Sequence, residues 1–190
     1  MRVFSIILAL FFCLSSCQPS ESVLLEEGNK LFDKGEYQKA IKLYSDIIGK
    51  NTGNELAIYN RGLAYYQLDS NLAALQDFNT ILKRKPTGFQ IEFNPTYATG
   101  DERLKVSYLQ ALYHRGLVLE NMDSLRKAFV DYKTCLDRET EPMQKSELCI
   151  RIGDIYQRAS KMKEKGCEYY RQALLLGHEE ANARLETYCR

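Results

Sequence analysis

A short motif written twice governs this chain: Tyr59-Asn60-Arg61-Gly62-Leu63 returns as Tyr113-His114-Arg115-Gly116-Leu117. Twelve positions after each of Gly28, Gly62 and Gly116 stands an alanine (Ala40, Ala74, Ala128), and sixteen after stands an aromatic ring (Tyr44, Phe78, Tyr132). Such self-similarity means a stack of like units, each burying its apolar face only against its neighbours. Within a unit the apolar residues recur at helical spacing. Leu24, Gly28, Leu31 and Phe32 make one stripe, Lys34-Gly35-Glu36 interrupts it, and Tyr37, Ala40, Ile41, Tyr44, Ile47 and Ile48 make a second. Either helix alone is too short to be stable in water, so the two must pair. The next unit repeats the arrangement 34 residues on, with Ile58, Gly62 and Tyr65, then Asp69-Ser70, whose side chains suit a helix N-cap, then Ala74, Phe78, Ile81, Leu82 and Pro86.

A 34-residue helix pair with Gly, Tyr, Ala, an aromatic and Pro in these places resembles the tetratricopeptide repeat. The resemblance implies an all-α fold, a right-handed α-solenoid of about four helix pairs. The units fall at about 21–54, 55–88, 109–142 and 146–178, in a domain of residues 23–190. Leu24, Ile58 and Leu112 fill the bulky place early in the first helix, since the chain has no Trp. In the fourth unit Cys149, Gly153 and Tyr156 match, the turn Ser160–Lys165 is a residue longer, and Tyr169-Tyr170-Arg171-Gln172-Ala173-Leu174 with Gly177 resembles a Sel1-like repeat. Residues Glu179 to Tyr188 read as a capping helix that presents Ala181, Leu185 and Tyr188 to the array. One interval breaks the period. Gly62 to Gly116 is 54 residues, which places an insertion at 89–108 between the second and third units. It alternates Phe89, Ile91, Phe93 and Tyr97 with turn residues and turns helical again from Asp101; its aromatics either pack back on the array or await a partner.

The start of the chain differs in kind. Arg2 precedes Val3 to Leu14, an uncharged run too short to span a bilayer and shaped like a secretory signal. Leu14-Ser15-Ser16-Cys17 resembles the lipobox of bacterial lipoproteins. That resemblance implies cleavage of a signal peptide at 1–16, acylation of Cys17, a lipidated linker at 17–22, and attachment to the membrane through the acyl chains. The alternative is an ordinary secreted protein with Cys17 as a plain thiol. Gln18 after the cysteine resembles the pattern that permits transfer to the outer membrane, so the expected location is the cell envelope, lipid-anchored at that membrane. Removing 1–16 takes away only Arg2 and leaves 25 basic and 25 acidic groups, a balance that argues against nucleic acid as a partner. Of the remaining cysteines, Cys135, Cys149, Cys167 and Cys189 form no Cys-x-x-Cys. They read as buried small hydrophobes, with Cys167 and Cys189 the first pair to test if a bridge forms.

No catalytic or metal constellation is written here. His114 and His178, the histidines of the chain, sit far from cysteines or carboxylates at metal spacing and read as surface or capping groups. No nucleophile elbow and no phosphate-binding glycine loop occurs, so neither catalysis nor a cofactor is expected. What remains is binding. In tetratricopeptide repeats the fifth, ninth and twelfth places of each first helix line a groove. By that resemblance the binding residues are Leu25, Asn29 and Phe32, then Tyr59, Leu63 and Tyr66, then Tyr113 and Leu117, with Glu120 beyond. Family members that clamp a peptide carboxylate use Asn with Lys or Arg; Asn29 and Asn60 match, but Leu25, Gln110 and His114 stand where cations belong. The expected occupant is an amphipathic helix or extended peptide of a protein partner in the envelope. Two alternatives stay open: these residues are inter-helix core, or residues 87–100 cover them. The function read from this is a membrane-anchored adaptor; the alternative is a periplasmic lipoprotein that binds peptide or lipid.

Overall fold

The computed structural model describes residues 19–84, 108–139, 141–159 and 162–190. The leader, Cys17 and all but the last residue of the insertion expected at 89–108 lie outside the described residues. Nine helices and no strand occur among the described residues. They are α1 (Glu21–Asp33), α2 (Tyr37–Lys50), α3 (Glu55–Gln67), α4 (Asn71–Arg84), α5 (Tyr108–Asn121), α6 (Leu125–Arg138), α7 (Pro142–Arg158), α8 (Lys163–Leu175) and α9 (Ala181–Tyr188). Each helix packs on its neighbours in sequence. The next-but-one helices α1 and α3, and α3 and α5, also touch, which is the connectivity of a solenoid.

The recurring glycine and aromatic explain how the pairs close. A methyl carbon placed on Gly28 would lie 2.6 Å from a Tyr44 ring carbon, on Gly62 3.0 Å from Phe78, on Gly116 2.4 Å from Tyr132 and on Gly153 2.5 Å from Tyr170. In every pair the ring of the second helix lies on bare backbone of the first, and all four rings are fully buried. Ala40, Ala74, Ala128 and Ala173, each 0% exposed, let the helices approach at the neighbouring turn.

The helix ends follow one pattern too. Gly35, Asp69, Asp123 and Gly177 all adopt positive φ. At each, the amide of the following residue reaches back to the helix just ended: Glu36 to Leu31 O, Ser70 to Tyr65 O, Ser124 to Leu119 O and His178 to Ala173 O, at 2.8–3.0 Å. This is the left-handed C-terminal stop that favours glycine and tolerates Asp. Asp69 is therefore the stop of α3 and not an N-cap of α4, and Ser124, the counterpart of Ser70, starts α6 without a side-chain cap. Caps of the expected kind stand elsewhere. Ser20 accepts from the Val23 amide, and buried Asn54 accepts from the Ala57 amide at 3.0 Å while donating to Glu21.

The fourth pair begins at Pro142, ahead of the expected start at 146, because proline suits the first turn of α7. Helix α9 closes the array: Ala181 is buried, Leu185 packs on the Cys149–Tyr170 cluster, and Tyr188 stacks on Tyr170 at 6.2 Å. Cys167 and Cys189 are bridged across α8 and α9, while Cys135 and Cys149 are buried free thiols. The reading of all four as plain hydrophobes is thus corrected for the pair named as first to test.

Candidate functional site

The first helices of the pairs, α1, α3, α5 and α7, present one face. The eight residues expected there take three different roles. Leu25 is 7% exposed and belongs to the core with Ala40, Tyr44, Ile47 and Ala57, so it is not available to a partner. Leu63 and Tyr66 pack on Ala74, Phe78 and Val118, and Leu117 on the central core, each half-buried. Asn29, Phe32 and Leu63 line a cavity of about 290 Å3 together with Asp33, Tyr44 and Asn60. Its polar groups are partly engaged: Asn29 Oδ1 accepts from Tyr44 Oη and from Asn60 Nδ2, both at 2.8 Å. Burial and the nearby Asp33 charge push the Tyr44 hydroxyl up to about 12.

Between this cavity and the next runs a row of rings. Tyr59 meets Phe78 at 5.9 Å and His114 at 5.3 Å, and Tyr113 meets His114 at 5.2 Å. His114 Nδ1 lies 2.9 Å from Tyr59 Oη and 3.0 Å from the Gln110 carbonyl. Burial lowers its pKa, so the imidazole is neutral at neutral pH. His114 is half-buried, with the rings of Tyr59, Phe78 and Tyr113 beside it, and not a plain surface group. His178 does act at a helix start, where its Nδ1 accepts from the Glu180 amide, but its Nε2 also lies 3.1 Å from Glu147 Oε2.

Beyond the rings is a larger cavity of about 530 Å3, lined from α5 by Leu109, Gln110, Tyr113 and His114, from the end of α6 by Cys135 and Glu139, and from α7 by Met143, Gln144, Glu147 and Leu148. Its floor is apolar and Met143 at its edge is 82% exposed. Tyr113 Oη donates toward Glu147 at 3.4 Å and Arg151 Nε donates to the same carboxylate at 2.8 Å. Burial alone would raise Glu147; hydrogen bonds from His178 and Arg151 reverse this and hold it below the usual carboxylate range. Burial pushes the Cys135 thiol up to about 12, with Asp131 and Glu139 adding to it, so it serves as apolar lining and not as a nucleophile. Glu120 accepts from Tyr132 Oη at 3.0 Å and sits near Arg151 and Arg158, so it ties the first helices together.

A second repeated feature joins the helices of a pair. Arg61 makes a two-pronged pair with Asp77 (2.9 and 2.7 Å) and Arg115 with Asp131 (2.8 and 2.7 Å). Each guanidinium also reaches the preceding unit, at Ser45 and Asn79. The signal is an Arg before the glycine and an Asp before the aromatic, sixteen residues apart in both units.

Comparison with known proteins agrees with this geometry. The tetratricopeptide repeat family model matches residues 146–176, the unit read above as Sel1-like. One unit of the chain matches the tetratricopeptide repeat, and the fold is that of a tetratricopeptide-repeat solenoid. It is 26% identical to a tetratricopeptide repeat and J domain-containing co-chaperone of Cryptococcus neoformans, across 90% of this chain and 30% of that protein. It is 25% identical to a TPR repeat-containing protein of Methanocaldococcus jannaschii, across 92% of this chain and 26% of that one. The chain thus spans about a quarter to a third of the length of these relatives. Among solved structures it superposes on MamA with a TM-score of 0.68 at 20% identity, covering 90% of this chain and 85% of that one. It superposes on the first TPR of Spaghetti (RPAP3), bound to an HSP90 peptide, with a TM-score of 0.56 at 25% identity, covering 74% of this chain and 94% of that domain. Among the described residues, no group of three His, Cys, Asp or Glu could hold a metal and no helix is long and apolar enough to cross a membrane.

Proposed function

We propose that this chain is a protein–protein interaction module held in the cell envelope, taking a peptide segment of its partner against the face of its first helices. The observation that carries the reading is the pair of cavities, at α1/α3 and α5/α7, joined by the Phe78–Tyr59–His114–Tyr113 row. The peptide held by the similar RPAP3 domain supports a peptide as the occupant. The way it is held differs from a carboxylate clamp. Leu25 is core, His114 is neutral and half-buried, and Gln110 offers no charge, so aliphatic and aromatic side chains of the partner supply the affinity. Attachment through acyl chains on Cys17 at the outer membrane belongs to the same proposal, and the Cys167–Cys189 bridge supports an oxidising compartment.

The test is a photo-crosslinking residue placed in cells at Phe32 and, separately, at Met143. One protein recovered from both positions, and lost from the Phe32 position on Met143→Asp, is the expected result. Recovery of lipid alone from both would replace the adaptor with the lipid-binding alternative. Acyl labelling abolished by Cys17→Ala is expected for the anchor; unchanged processing of that variant would remove it.

A further inference from the structure

The opposite side of the array carries a cavity of another character. The second helices α4 and α6, with α5 between them, enclose about 480 Å3 lined by Leu75, Asn79, Arg115, Leu119, Arg126, Lys127, Val130 and Asp131. Its floor is the Arg115–Asp131 pair, whose charges cancel and whose remaining donor is held by Asn79. Its apolar part is Leu75, Leu119 and Val130, and Val130 stands 60% exposed on α6. Leu72, three residues before Leu75 and so on the same flank of α4, is exposed as well. Arg126 and Lys127, both exposed, complete the lining, and neither side chain has a hydrogen-bond or ion-pair partner among the described residues. The first-helix cavity is the reverse: Glu139 and Glu147 line it and no Lys or Arg does. The two faces therefore differ in the charge of their lining.

We propose that this second-helix cavity is an interaction site for an acidic segment of a partner protein. The segment seats an aliphatic side chain against Leu75, Leu119 and Val130 while its carboxylates meet Arg126 and Lys127. The apolar seat supplies the binding energy, and the two cations, with no carboxylate partner among the described residues, supply the selection. The site shares no lining residue with either first-helix cavity, so the chain holds two ligands at once.

The probe is a fluorescein-labelled peptide of alternating leucine and glutamate, titrated against the full-length chain by fluorescence anisotropy. Saturable binding that weakens with added salt is expected. Arg126→Glu with Lys127→Glu should weaken it about tenfold or more, the effect of two exposed charge pairs reversed, whereas Met143→Asp should leave it unchanged. Both substituted residues are exposed and have no side-chain partner among the described residues, so the fold is retained; an unchanged far-ultraviolet dichroism spectrum checks this, and the neutral pair Arg126→Gln with Lys127→Gln gives an intermediate loss. Replacing the peptide's leucines with photo-leucine should place crosslinks on α4, on α6 and at Leu119 of α5. The proposal is overturned by equal binding to the doubly reversed variant, by equal binding of the leucine–lysine counterpart, by crosslinks on α7 and on the Leu109–His114 stretch of α5 instead, or by no saturable binding. Any of those results leaves the first-helix reading standing.

Discussion

At the scale of single residues, the fold rests on a ring laid over a glycine. The four contacts are not equally tight, and that ranks their sensitivity. Gly116→Ala puts a carbon 2.4 Å from Tyr132, a ring with 0% exposure and a hydroxyl anchored on Glu120, so neither side can yield cheaply. A loss of about 2–4 kcal/mol is expected. Gly62→Ala meets Phe78 at 3.0 Å, where no hydroxyl is anchored, and should cost about half as much. Gly49, inside α2 with nothing within 4 Å, should gain about 0.5–1 kcal/mol as alanine. Urea midpoints of the three variants check the order. A Gly116 variant as stable as the parent would mean that the ring is not locked. The glycine and its ring were legible at this scale because a fixed offset of sixteen recurs three times. The role of Asp69 was not, since an Asp beside a Ser looks alike at a helix start and at a left-handed helix stop; only the reach of the Ser70 amide back to Tyr65 separates them.

At the scale of elements, two devices bind neighbours. The Arg115–Asp131 pair joins α5 to α6 and reaches α4 through Asn79. Asp131→Ala should cost about 3 kcal/mol, because it strands a half-buried guanidinium, and Arg115→Met in the same chain should restore most of that. A double-mutant cycle in urea measures it; equal costs for the single and double variants would show that packing and not charge is at stake. The sequence held this pair in plain view, yet charges on helices are usually solvated, and offsets alone do not reveal that Asp77 and Asp131 turn inward. The second device is the Cys167–Cys189 bridge, which closes 22 residues and fastens the short α9 to α8. Reduction should release α9, at about 3 kcal/mol by loop entropy. Hydrogen exchange should then quicken in α8 and α9 and stay unchanged in α5 and α6, as expected where each pair leans only on its neighbours.

At the scale of the whole molecule, the array was more legible than its working face, for a physical reason. Stacking forces apolar residues into the same repeated places that a groove would use, so position alone cannot say whether Leu25 meets a partner or, as it does, Tyr44 and Ala57. Each cavity arises where three helices meet: Met143 and Glu147 join one only once α5 to α7 are stacked, and Arg126 and Val130 join another only once α4 to α6 are. The same stacking makes alkali a sensitive probe of the entire array. Burial pushes Tyr44 and Tyr59 up to about 12, and burial raises Tyr132 and Tyr170 further, each assisted by a neighbouring carboxylate. In the unfolded chain these phenols ionise near pH 10. Below pH 10 both states carry the protons and stability is intact. From about pH 10 towards 12 the unfolded chain sheds them and the folded one does not, so stability must fall as pH rises through that window. Because the four rings sit in successive pairs, the losses add along the array. Tyr59→Phe should remove one proton from the slope of stability against pH. It should cost about 1 kcal/mol at pH 7, where the bond to His114 is lost, and less near pH 11. Urea titrations at intervals from pH 8 to 11.5, with phenolate absorbance followed in parallel, measure both. A stability that is flat across this range would show that these hydroxyls are open to solvent and that the pairs are not packed on their rings.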